Sequence, residues 1–220
     1  MKKLLLALAL SSVFAPVIAE PIKPSDYNTL HAMGCMLLQE CTDGVIEIKS
    51  MRDLEKHYGQ DYTISPVEFN ELIKASNGAG VKVYLAPNKY FLAMNRGVYH
   101  TVGNNFFLNE DYMNDSAQLM SVMRHEGWHA VQDCMAGTIN NTMIAIVHDE
   151  DDVPQFWKDI AEDTYPANVL PWEQEAMWAG RVENMTLNAL RVCGSDKKLW
   201  EVYEPTPLTR KYLVEQGYIK

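Results

Sequence analysis

The stretch from Asp115 to Gly137 reads as one uninterrupted helix, and any fold open to this chain must be built around it. Asp115 or Asn114 supplies an N-terminal cap, and Gly137 a C-terminal stop. Deep inside lies His125-Glu126-Gly127-Trp128-His129. Residues four apart on an α-helix lie about 40° apart in projection, one turn above each other. His125 and His129 therefore aim two imidazoles at one point, and Glu126 lies on the flank of the same face.

Hydrolytic zinc chemistry needs such an arrangement. It takes nitrogen ligands about 2.0–2.1 Å from the metal, an open position for water, and a base beside that water. The pattern predicts His125 and His129 as ligands of Zn2+ and Glu126 as general base. The competing reading is a pair of satisfied histidines on a partly buried helix. A motif deep in a long helix, after strands and in a chain with an export signal, favours the metal. A third ligand is then required. The spacing H-E-x-x-H-x-x-G-x-x-H is excluded, because Gln132 and Met135 occupy its Gly and last His positions. A downstream carboxylate remains. "PWEQEAMWAG" offers Glu173 and Glu175, which point about 200° apart on a helix, so at most one faces the metal.

The rest of the chain reads as α+β. Leu30, Met33, Leu37 and Leu38 predict a helix over Asp26 to Cys41, stopped by Thr42-Asp43-Gly44. "VIEIK" is a candidate short strand. Ser50 and Asp53 stand as cap and third residue of a helix to Tyr58. Ser65-Pro66-Val67-Glu68 supplies a capping box for the next, which ends at Asn77-Gly78. "VKVYLAP" is strand-like, and "GVYHTV" and "NFFLN" suggest an antiparallel pair around Gly103-Asn104-Asn105. After the motif helix, Thr138 to Pro171 is irregular, with a short helix over Gln155 to Thr164. A second long helix follows Pro171, and "PLTRKYLVEQGYI" makes a last one.

The first residues read separately. "MKK" is a basic start, "LLLALALSSVFA" an apolar run, and Val17-x-Ala19 a small-residue cleavage signal. Residues 1–19 are expected to be a cleavable signal peptide of bacterial style, and 20–220 a single domain with an irregular insertion around 138–170. The chain is then secreted or periplasmic, with no membrane attachment after cleavage. Losing Lys2 and Lys3 moves the formal charge from −10 to −12, which disfavours nucleic-acid and anionic-lipid partners. The even set Cys35, Cys41, Cys134 and Cys193 suits disulfides in an exported protein. If Asp26 to Cys41 is one helix, Cys35 and Cys41 lie about 9 Å apart along its axis and cannot bridge. Long-range bridges to Cys134 and Cys193 are then expected.

HExxH followed by a Glu-bearing helix resembles the gluzincin group of zinc metallopeptidases. In several branches that helix carries E-x-x-A, matched by Glu173-Gln174-Glu175-Ala176; others use E-A-x-x-D, of which Glu175-Ala176 matches only the start. The resemblance covers Asn105 to Val192 and favours Glu173 as third ligand. It implies a zincin-like fold: a small mixed or antiparallel sheet packed on the HExxH helix, with the second long helix carrying the third ligand. It implies hydrolysis of a peptide or protein substrate, with Glu126 taking the proton of a zinc-bound water. It also implies that "NFFLN" is a sheet edge able to pair with an extended peptide. Tyr99, His100, Tyr112, His148 and Tyr165 are candidate oxyanion donors by type, and Asp133 a candidate partner for a ligand imidazole. Alternatives are a zinc amidase acting on cell-wall peptides and a non-catalytic binding protein of the same fold.

Overall fold

The computed structural model describes residues 21–63, 66–139 and 142–220. The signal-peptide segment and the Ser65 cap lie outside them. The helices are α1 (Leu30–Leu37), α2 (Met51–Tyr58), α3 (Pro66–Gly78), α4 (Ser116–Met135), α5 (Gln155–Thr164), α6 (Leu170–Ala179), α7 (Met185–Cys193) and α8 (Pro207–Glu215). The strands are β1 (Ile46–Glu47), β2 (Lys82–Ala86), β3 (Gly97–His100) and β4 (Asn105–Asn109). The architecture is α+β, with one four-stranded mixed sheet in the order β1-β2-β4-β3.

The expected antiparallel pair is present as β3 and β4, with Val98 opposite Phe107. "NFFLN" is not an edge, however. β4 also pairs in parallel with β2, Val83 against Phe106, and so lies in the sheet interior. The free edge on this side is β3. Alternation along the strands explains the placement. Val83, Leu85, Phe106 and Leu108 join the main core with residues of α3, α4 and α7. Tyr84, Ala86 and Phe107 face the other way, against Ala32 and Met36 of α1 with Tyr90 and Phe91. Both faces of β4 are covered, and all five of its residues are buried.

α4 is the axis of the main layer. Asp115 Oδ1 accepts from the Gln118 N–H at 2.7 Å, capping its start, and Gly137 follows its end with φ +116°. α3 is tied to it by a two-point ion pair: Arg124 Nε donates to Glu68 Oε1 at 2.8 Å and its terminal nitrogen to Oε2 at 2.5 Å. α7 crosses its back. A Cβ on Gly127 would lie 2.8 Å from Thr186 Cγ2, so the bare Cα lets α7 pack there, with Thr186 Oγ1 donating to Arg124 O at 2.9 Å.

Two further expectations are overturned. The first helix is about one turn shorter at each end than its apolar period suggested. It ends at Leu37, Gln39 adopts a left-handed φ of 58°, and the N–H groups of Glu40 and Cys41 both donate to Cys35 O. That reversal returns Cys41 to within 5.2 Å (Cα–Cα) of Cys35, and the two form a disulfide. The other bridge, Cys134–Cys193, fastens the end of α4 to the end of α7. The second long helix is also two helices. α6 stops at Ala179, and the chain turns through Asn184 at φ 64° before α7 begins. Two disulfides suit an oxidising compartment, and no described helix is long and apolar enough to cross a membrane.

Candidate metal centre

α4 and α6 pack face to face, and their contact brings three ligand-type side chains together. His125 Nε2 lies 3.3 Å and His129 Nε2 3.7 Å from Glu173 Oε2. The ligand atoms all fall within 4.8 Å of one another. The two rings stand nearly perpendicular, at 86°, so their nitrogens converge without stacking. Bonds of 2.0–2.1 Å in a tetrahedral site put neighbouring ligand atoms roughly 3.3 Å apart, which is the scale seen here. Glu175 points the other way, as two helical residues must.

The electrostatics also suit a cation. Burial opposes charge on Glu173, but His125 and His129 outweigh it and hold its carboxyl well below the usual range. Burial likewise opposes protonation of His129, and Glu173 with Glu126 overrides it, raising the imidazole to about 9. Glu173 Oε2 is enclosed and makes no hydrogen bond of normal geometry. An enclosed anionic oxygen facing two imidazole nitrogens is a donor set for a divalent ion, and His125, His129 and Glu173 could hold one.

Glu126 lies beside this cluster, 5% exposed. Burial pushes its carboxyl pKa up, while the two imidazoles and the Tyr99 backbone N–H, which donates to it, pull the other way. Strand β3 comes this close because residue 97 is glycine: a Cβ there would sit 2.6 Å from Glu126 Oε1.

Support for the imidazoles comes from a residue that sequence reasoning missed. Gln132, not Asp133, is the partner of a ligand ring: its Oε1 lies 2.8 Å from His129 Nδ1. Its Nε2 donates to Trp172 O at 3.0 Å and to Glu175 Oε2 at 2.8 Å. Position 132 follows His129 by three on a helix, so adjacency was legible; its amide contacts to α6 were not. Asp133 instead accepts from the Tyr99 hydroxyl at 2.8 Å. Glu175 is a buried bracket, with Oε1 accepting from the Val147 N–H at 2.9 Å and from the His148 N–H.

A cleft of about 820 Å³ opens over the cluster, walled by β3, the end of α5 and the segment around Ile144. Of the five candidate oxyanion donors, Tyr165 has its ring beside a candidate ligand imidazole. Its ring lies nearly parallel to that of His125, centroids 6.5 Å apart. Burial, Glu173 and Glu126 all raise its hydroxyl pKa. Tyr99 lines the cleft with its hydroxyl committed to Asp133. His148 is packed between Trp128, Trp178 and Tyr203, and Tyr112 lies under the Arg96 guanidinium. His100 is absent from the cleft wall.

No model of a known protein family, no curated protein and no solved structure matches this chain.

Proposed function

We propose that the chain is an exported, zinc-dependent metallopeptidase of gluzincin type. The observation carrying this reading is the convergence of His125, His129 and Glu173 at the floor of an open cleft, with the Glu126 carboxylate beside them. Zinc held by His125, His129 and Glu173 would supply Lewis acidity, acidifying water and polarising a substrate carbonyl. Glu126 accepts the water proton on its carboxylate and later passes it to the leaving amine. Its burial raises its basicity for that task, and the Tyr99 N–H fixes its orientation. The Tyr165 hydroxyl donates to the oxyanion that develops from the substrate carbonyl. Gln132 holds the His129 ring in place. An extended peptide lies along β3, the free sheet edge bordering the cleft. Residues 1–19 direct the chain to the periplasm or beyond, where its disulfides persist.

The test is metal analysis of the purified chain together with hydrolysis of a broad peptide library. Stoichiometric zinc and turnover are expected, and Glu126→Gln keeps the zinc and loses the turnover. A metal-free protein sinks the reading. Wild type and variant equally inert on the library would leave a binding protein instead.

A further inference from the structure

With a divalent ion in place, the cleft would carry a charge opposite in sign to that of the molecule. The chain holds 29 acidic and 19 basic residues. Yet among the described residues, the charged side chains on the cleft wall outside His125, His129, Glu126 and Glu173 are Arg96 and Arg181. Arg124, Arg191 and Arg210 each pair with a glutamate. Arg96 and Arg181 make no ion pair among the described residues; Arg96 rests its guanidinium 5.7 Å from the Tyr112 ring, a contact that leaves its charge uncompensated. A divalent ion would balance the charges of Glu126 and Glu173, so the two guanidinium groups would set the sign of the cleft.

Their roots are close to the reacting centre. Arg96 immediately precedes Gly97, where an added Cβ would lie 2.6 Å from Glu126 Oε1. Arg181 immediately follows Gly180, where an added Cβ would lie 3.4 Å from His125 Cβ. One arginine thus enters from the start of β3 and the other from the end of α6, each one residue from backbone that touches the motif helix. A substrate group reached by them lies near the bond being cut. Guanidinium groups offer paired donors matched to a carboxylate, and a basic side chain would meet like charge.

We propose that the cleft selects substrates bearing a carboxylate close to the scissile bond, with Arg96 and Arg181 as the specificity-determining residues. This rests on the peptidase reading above. The carboxylate can come from an Asp or Glu side chain or from the free C-terminus of the substrate, and the two sources are separable.

The experiment measures binding, so that it does not depend on turnover. Zinc-loaded Glu126→Gln protein is titrated calorimetrically with short alanine peptides. These carry one central Glu, Gln or Lys as the C-terminal amide; a fourth is the Gln peptide with a free C-terminus. One of the two carboxylate peptides should bind about fivefold tighter than the neutral amide, the scale of a solvent-screened ion pair. Which one wins identifies the source. The preference should shrink as salt is raised and vanish when Arg96→Gln and Arg181→Gln are combined. Equal affinity for the neutral and both anionic peptides overturns the proposal. So does failure of every peptide to bind, or a preference that survives in the double variant, since the carboxylate would then be held by the metal. Hydrolysis by the wild-type chain reports separately on the peptidase reading. Turnover without charge preference keeps the enzyme and discards the specificity, whereas charge-selective binding without turnover does the reverse.

Discussion

Gln132 Oε1 stands 2.8 Å from His129 Nδ1, so the ring that offers Nε2 to the cluster is held from behind by a neutral amide. The same amide reaches α6 through Trp172 and Glu175. Replacing it with a residue of similar size but no amide, Gln132→Met, should weaken metal affinity about 10- to 100-fold, as removal of such partners typically does. Competition against a chromophoric chelator reads this directly.

Glu173 and Glu175 should separate cleanly by substitution. Glu173→Ala removes the candidate ligand atom and should abolish metal retention while leaving the fold intact. Glu175→Ala strands the N–H groups of Val147 and His148 together with the Gln132 amide. Its cost should appear as stability, about 2–4 kcal/mol in chemical denaturation of the metal-free chain. The opposite pattern of metal loss would transfer the ligand role.

Gly97→Ala tests the approach of β3 to Glu126. The added methyl would fall 2.8 Å from both Glu126 Cγ and Val122 Cγ1, as well as against the carboxylate oxygen. Turnover should fall at least tenfold with zinc content unchanged, roughly 1.4 kcal/mol of barrier. Unchanged rates would mean that the carboxylate's present position is not the working one.

Burial pushes the Asp133 carboxyl from 3.8 up to about 7, against the bond from Tyr99. Between those values the folded chain holds a proton that the unfolded chain has released. The contribution of Asp133 to stability is therefore full at low pH and lost as pH rises through about 7. Its unpartnered Oδ1 is the natural seat of that proton. Thermal unfolding of the metal-free chain, followed from about pH 4 to pH 7, should decline less steeply in Asp133→Asn. Glu175, also raised to about 7, has the same sign and maintains part of the slope.

The disulfides should differ in weight. Cys134 and Cys193 are 59 residues apart, Cys35 and Cys41 only 6. By loop entropy, replacing the first pair with serines should cost roughly 4 kcal/mol and the second about 2. Denaturant titration of the two double variants compares them.

The parts legible in the sequence are those set by local rules. The 3.6-residue period and its caps delimited α4, and Ser50 with Asp53 marked α2, where the Ser50 N–H does donate to Asp53 Oδ2 at 2.9 Å. Helical spacing paired His125 with His129 and required Glu173 and Glu175 to diverge. What stayed hidden depends on contacts remote in the chain. The bridge Cys35–Cys41 needs Gln39 in the left-handed region, and glutamine does not announce that conformation. "NFFLN" holds three apolar residues in a row, which suits a strand covered on both faces, but its place inside the sheet comes from its parallel pairing with β2. Residues 180–184 read as more helix until α6 and α7 are seen to cross α4 as separate pieces.

Glu175 grips Val147 and His148, a few residues beyond Ile144 on the cleft wall, and it shares one helical turn with Glu173. The mouth of the cavity and the acidic corner of the cage are consequently moored to a single post. Widening the one displaces the other, so reshaping this rim to admit bulkier molecules would also retune how firmly a bound ion is clasped.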